Sequence, residues 1–191
     1  ISNLSVSDLQ ASETFVCALL SDKTVKAWGE NPDGRLGNGT TEGANAPVSV
    51  NGLSNIQSVS LGVNHGMALD EDGYCWLWGS NEKGQLGTGS TNDRLTPYKN
   101  SITDISFIHA GVNQESFVCK SNGLLYGWGN NTSYKIKYNS SVPSYYTSAE
   151  SIRKFNTPIK CISDDNRMVI ATTETGTIYT WGSNRGYIMG T

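Results

Sequence analysis

Charge is scarce in this chain. Asp, Glu, Lys and Arg make up 16% of its 191 residues, against about 25% in an ordinary soluble domain. Fourteen basic and seventeen acidic residues leave a net charge of −3, and no run of five or six like charges occurs. Nucleic-acid binding needs many clustered cations to neutralise phosphates, so that class of partner is not expected. Lys135-Ile136-Lys137 is the densest basic stretch and reads as a solvated loop. Long apolar runs are also missing: nothing approaches the roughly 18 residues a membrane helix needs, so no membrane partner is expected. The chain opens on Ile1-Ser2-Asn3-Leu4, without the basic segment of a signal peptide.

Histidine and paired cysteine are equally thin. Only His65 and His109 are present, and the four cysteines (Cys17, Cys75, Cys119, Cys161) form no CxxC pair. A local zinc clip takes its ligands in close pairs, so no metal site is expected. Scattered cysteines read as buried free thiols. With no signal segment visible, the expectation is a cytoplasmic or nuclear chain.

What the chain has in quantity is turn formers and aromatics: 21 glycines, five tryptophans and nine tyrosines. Turn-rich, charge-poor chains are all-β more often than helical, and this many aromatics argues against disorder. The aromatics are also periodic. Trp-Gly stands at 28–29, 78–79, 128–129 and 181–182, at spacings of 50, 50 and 53. A fixed period of this size points to a solenoid, a propeller or an array.

The flanks repeat with the tryptophan. Ten residues before it stand Ala18, Ala68, Val118 and Ala171. Six and five residues before it stand Asp22-Lys23, Asp72-Gly73, Asn122-Gly123 and Thr175-Gly176, hairpin turns between two strand-like runs. Lys23 departs from the glycine pattern, which predicts a looser turn there. After the tryptophan, Trp28-Gly29-Glu30-Asn31-Pro32-Asp33-Gly34-Arg35-Leu36-Gly37-Asn38-Gly39 and residues 78–89 agree at every glycine, at the asparagine and at the leucine. Leu36 and Leu86 are expected to anchor these loops in the core. Further strands are predicted over 56–61 and 102–107.

The run Gly62-x-x-His65-x-x-Ala68-Leu69, Asp72-Gly73, Trp78-Gly79-x-Asn81-x-x-Gly84-Gln85-Leu86-Gly87-x-Gly89 resembles the repeat of the regulator of chromosome condensation family. The resemblance extends over essentially the whole chain. It implies all-β, four-stranded antiparallel propeller blades, with repeat units near 1–46, 47–96, 97–142 and 143–191. The third unit departs: Tyr134 and Lys137 take two glycine positions, which puts its loop conformation in question. In the fourth, Asp164 or Asp165 stands near the position of Gly62.

No catalytic set, metal set or cofactor motif emerges. His65 reads as a structural residue bonded to a neighbouring loop, and His109 has no partner motif. Asp70, Glu71 and Asp72 are too few for a calcium site. Gly34-x-x-Gly37-x-Gly39 lacks the strand and helix that a phosphate loop needs. What remains is a loop surface that varies between repeats, carried by Asp33, Arg35, Glu82, Lys83 and Gln85, with Tyr134, Tyr145 and Tyr146 in the irregular third loop. The expectation is a non-catalytic module that binds a protein partner. The resemblance adds nucleotide exchange on a small GTPase as the alternative.

At about 50 residues per repeat, 191 residues hold 3.5–4 blades of a propeller that the resemblance puts at seven. The chain also starts inside one repeat and stops inside the next glycine loop. It therefore reads as part of a longer propeller, completed by blades in the same or another chain.

Overall fold

The computed structural model describes residues 4–138 and 141–183. Its strands form antiparallel sheets in sequence order. The first comprises β1 (Val6–Ala11), β2 (Phe15–Leu20), β3 (Val25–Gly29) and β4 (Ala44–Ser49). The second comprises β5 (Ile56–Leu61), β6 (His65–Asp70), β7 (Cys75–Gly79) and β8 (Arg94–Lys99). The third comprises β9 (Ile105–Ala110), β10 (Glu115–Lys120), β11 (Leu124–Asn130) and β12 (Tyr145–Lys154). Of the fourth, three strands are described: β13 (Ile159–Asp164), β14 (Met168–Thr173) and β15 (Ile178–Gly182). Each sheet is a propeller blade. No helix occurs among the described residues, so none is long and apolar enough to cross a membrane.

The hairpin turn between the second and third strands is the same in all four blades. Gly73, Gly123 and Gly176 have φ of 79°, 84° and 83°, and each N–H donates to the carbonyl three residues earlier. Lys23 takes φ of 65° and makes the same bond to Leu20. The looser turn expected there does not form: the surrounding strand pairing holds a lysine in the left-handed region that glycine favours.

Hydrophobic burial runs between blades. Strand alternation gives each blade a forward face and a backward face. Phe15, Cys17, Leu19 and Val25 of blade one pack on Ile56, Val59, Ala68 and Trp78 of blade two. Met67, Leu69 and Cys75 of blade two pack on Ile105, Ile108, Val118 and Trp128 of blade three. Phe117, Cys119 and Leu125 of blade three meet Ile159, Ile162, Val169 and Ala171 of blade four. At the two ends of the arc the equivalent faces are exposed. Ile178 is 63% exposed where its equivalents Val25, Cys75 and Leu125 are at most 2%. Leu9, at 57%, contrasts in the same way with Val59, Ile108 and Ile162. Cys17, Cys75 and Cys119 are buried free thiols, as expected. Cys161 is not: it is a free thiol on the exposed side of β13.

The repeated tryptophan joins the blades. Trp78 Nε1 donates to the Arg35 carbonyl at 2.9 Å, Trp128 to Gln85 at 2.8 Å and Trp181 to Lys135 at 2.7 Å. Each acceptor stands seven residues after the previous blade's tryptophan. The indole lies against that blade's loop so closely that a Cβ on Gly87 would come within 2.9 Å of the Trp128 ring.

Candidate functional site

The connections at one end of the strands are short hairpin turns. At the other end, each of the first three blades carries a long loop between its third and fourth strands, over 30–43, 80–93 and 131–144. One asparagine organises each loop. Asn31 Oδ1 accepts the Leu36 N–H at 2.9 Å, while its Nδ2 donates to the carbonyls of Thr40 and Glu42. Asn81 does the same with Leu86, Ser90 and Asn92. Asn131 does it with Ile136, Lys137 and Pro143. All three asparagines are buried. A carboxamide has both an acceptor and donors, so one side chain closes both halves of a loop that has no strand ladder. The sequence showed this asparagine recurring but not its role, because its partners are backbone groups at varying sequence distances.

The third loop keeps its asparagine and, at the first of its two lost glycines, the same backbone; at the second, Lys137 does not take the positive φ of Gly37 and Gly87. Tyr134 adopts φ of 59°, beside 75° and 76° for Gly34 and Gly84, and its N–H donates to Asn131 as theirs do to Asn31 and Asn81. Ile136 fills the buried place of Leu36 and Leu86.

The eight residues expected to face a partner divide. Glu82, Tyr134 and Tyr145 are exposed, and Asp33, Lys83 and Tyr146 are half-buried. Tyr146 also packs into the cores of two blade joints. Gln85 and Arg35 are buried. Arg35 Nη1 donates to Thr14 Oγ1 at 2.7 Å and its other amino group pairs with Asp33. Tyr138, inside the irregular 134–146 stretch that the sequence offers as a partner-facing segment, is 81% exposed and meets Tyr134 edge to face at 5.2 Å.

Beneath this face, polar groups bridge the joints. His65 is fully buried, and its Nε2 lies 3.0 Å from Ser116 Oγ of the next blade. Ser116 donates its own proton to the Gln85 carbonyl at 2.7 Å, so His65 Nε2 is the donor and Nδ1 is left without a partner. His65 therefore reaches a strand of the next blade, not a loop as expected. Burial, with the nearby His109, pulls its pKa down to about 3.

The joint between blades three and four is more charged. Lys135, buried, pairs with Glu115 and with Asp164 at 2.8 Å, and Asp164 also accepts from His109 at 2.8 Å. Burial raises the Glu115 carboxyl to about 8, helped by its hydrogen bond to Asp164 and opposed by Lys135. Burial acts the same way on Asp164, but the bonds from His109, Glu115 and Lys135 outweigh it and hold that carboxyl well below the usual range. Asp164 also borders a depression of about 620 Å3 shared by all four blades, with Glu13, Leu61, Val63, Val112 and Asp165. No group of three or more metal-ligating side chains occurs among the described residues.

Comparison with known proteins agrees with this architecture. The profile of the regulator of chromosome condensation (RCC1) repeat matches residues 24–69 and 72–113, and a second RCC1-repeat profile matches 56–85. The ultraviolet-B receptor UVR8 of Arabidopsis thaliana is 27% identical over 186 residues, which are 94% of this chain and 42% of that one. The human E3 ubiquitin-protein ligase HERC2 is 25% identical over 92% of this chain, corresponding to 4% of its own length. Among solved structures, yeast RCC1 (Prp20), in a complex with Kap60, superposes with a TM-score of 0.81 at 21% identity, over all of this chain and 46% of that one. Human WBSCR16 gives 0.79 at 19%, over 97% and 49%. The chain thus spans less than half the length of these relatives. Profile, superposition and the repeated tryptophan joint agree: residues 24–113 carry RCC1 repeats, and the chain folds as an RCC1-like β-propeller.

Proposed function

We propose that this chain is a non-catalytic protein-interaction module whose partner meets the long-loop face. The observation that carries this reading is the asparagine skeleton. Each of three loops is closed by a buried asparagine that accepts from the amide five residues on and donates to loop carbonyls, while the residues between differ in charge and character. A preformed surface loses little conformational entropy on binding, and variable side chains on fixed loops supply specificity. Tyr134, Tyr138 and Tyr145 add exposed aromatics of the kind enriched in interfaces. The uncovered forward face of blade four and backward face of blade one would take further blades, from the same or another chain. The partner is taken to be intracellular.

A relative supports a protein partner in general terms: Prp20 has been studied for its binding to Gsp1p and histones. Nucleotide exchange on a small GTPase is the second reading, and it rests on the family resemblance. Affinity capture separates the surfaces. A partner held by the native chain should be lost with Glu82→Arg/Tyr145→Ser and kept with Asp72→Ser/Asn122→Ser, which alters the opposite face. The converse pattern would overturn the reading. Accelerated release of bound nucleotide from a panel of small GTPases would decide for exchange activity.

A further inference from the structure

One place on the loop face carries a cation with no ion pair or hydrogen bond among the described residues. Fourteen residues before each repeated tryptophan stand Thr14, Asn64, Gln114 and Arg167. In the first three blades this side chain is engaged. Thr14 Oγ1 accepts from Arg35, Asn64 Oδ1 lies 3.4 Å from Gln85 Nε2, and Gln114 Nε2 donates to Glu82 Oε1 at 3.0 Å. The last contact crosses a joint: Glu82 stands four residues after the tryptophan of blade two and reaches into blade three.

At the next joint the register is identical but the chemistry is inverted. Arg167 of blade four stands where Gln114 does, and Thr132 of blade three stands where Glu82 does. The carboxylate is replaced by a hydroxyl, and the amide by a guanidinium. Arg167 is exposed, and among the described residues its guanidinium has no ion pair or hydrogen bond. It lines a cleft of about 230 Å3 with Thr132, Ser133, Tyr134 and Ser183. The nearest acid in sequence, Asp165, turns its Oδ1 to the amides of Arg167 and Met168 at 2.7 and 2.8 Å. Of the neighbouring lysines, Lys135 is held in the buried cluster and Lys137 pairs with Glu150 at 2.7 Å.

We infer that this cleft is a carboxylate-binding pocket, taking an acidic side chain of the protein partner where Glu82 supplies one internally at the preceding joint. The guanidinium offers a planar pair of donors to a carboxylate, and the hydroxyls of Thr132 and Tyr134 can donate to its remaining lone pairs. This deepens the proposed function and rests on the loop face being the one that meets a partner.

The test needs no partner. The native chain is titrated with the blocked peptides Ac-Gly-Glu-Gly-NH2, Ac-Gly-Gln-Gly-NH2 and Ac-Gly-phosphoserine-Gly-NH2, following the Arg167 side-chain Nε–H and backbone amides by NMR. The glutamate peptide should give a saturable shift at Arg167, Thr132 and Ser133, and the glutamine peptide should not. Arg167→Gln should weaken binding about tenfold or more, since a charge-assisted bond is lost. Thr132→Glu should abolish it by supplying the carboxylate from within, with the remaining spectrum unchanged. No shift at Arg167, or equal shifts with the glutamine peptide, would overturn the assignment. Phosphoserine binding more than tenfold tighter than glutamate would overturn the carboxylate and assign the cleft to a phosphorylated partner. Because the peptides report on the cleft alone, capture of a partner that survives Arg167→Gln would refute this pocket and leave the interaction module standing.

Discussion

At the scale of single residues, the buried asparagine does most to shape the functional face. Replacing Asn81 by Ala leaves the Leu86 amide and the Ser90 and Asn92 carbonyls to find new partners. Unsatisfied buried groups of this kind cost roughly 1–3 kcal/mol each. Some will reach water, so Asn81→Ala should cost about 2–4 kcal/mol in chemical denaturation. Lys23 offers the opposite case. A lysine in the left-handed region is disfavoured by about 1–2 kcal/mol, partly offset by the greater freedom glycine loses on folding. Lys23→Gly should therefore raise stability by roughly 0.5–1 kcal/mol by the same measurement. Both side chains were visible in the sequence, but their conformations were not. The third loop makes the same point, since Tyr134 holds a glycine's conformation because Asn131 still organises the loop around it.

At the scale of strands and joints, the buried titratable groups set the pH dependence. Folded His65, near 3, binds fewer protons than the unfolded residue near 6.5, so its contribution is present above 6.5 and lost as pH falls from 6.5 to 3. Asp164 is depressed below 3.8 and adds to the loss in acid. Glu115 has the opposite sign. Its folded pKa, near 8, lies above the 4.5 of the free side chain, so its contribution is present below 4.5 and lost as pH rises through 8. Between 4.5 and 6.5 the His65 and Glu115 slopes cancel. Stability should therefore be level over that range and fall on both sides. Glu115→Gln should remove the alkaline fall, so that stability climbs with pH up to about 6.5, as read from denaturation midpoints across pH. An unchanged alkaline limb in that variant would contradict the assignment. This cluster was not legible in the sequence. Glu115, Lys135, Asp164 and His109 lie up to 55 residues apart, and only blade packing brings them together.

At the scale of the whole molecule, the fold was the most legible part. A 50-residue tryptophan period with hairpin turns and alternating runs implies blades, because one blade cannot bury both of its faces and the next must cover it. The interior joints bear this out, and the ends of the arc show the other side of the rule. Leu125→Ala, inside a joint, should cost about 2–5 kcal/mol. Ile178→Ala, at the equivalent but exposed place, should stay within about 0.5 kcal/mol in the same chain. Near-equal losses would mean that the forward face of blade four is covered. The partner-facing residues were only partly legible. Repeat variation marks positions that differ, yet Arg35 and Gln85 differ while buried beneath the loops, where their carbonyls receive the next blade's tryptophan.

The central claim is that the long loops are held as a preformed face. Amide hydrogen exchange tests it most directly, at the Leu36, Leu86 and Ile136 N–H groups, each bonded at 2.9 Å to its loop's asparagine. These three amides should be protected to the level of the flanking strands, and Asn81→Ala should release Leu86 alone. Exchange of all three at the rate of an open loop would contradict the account.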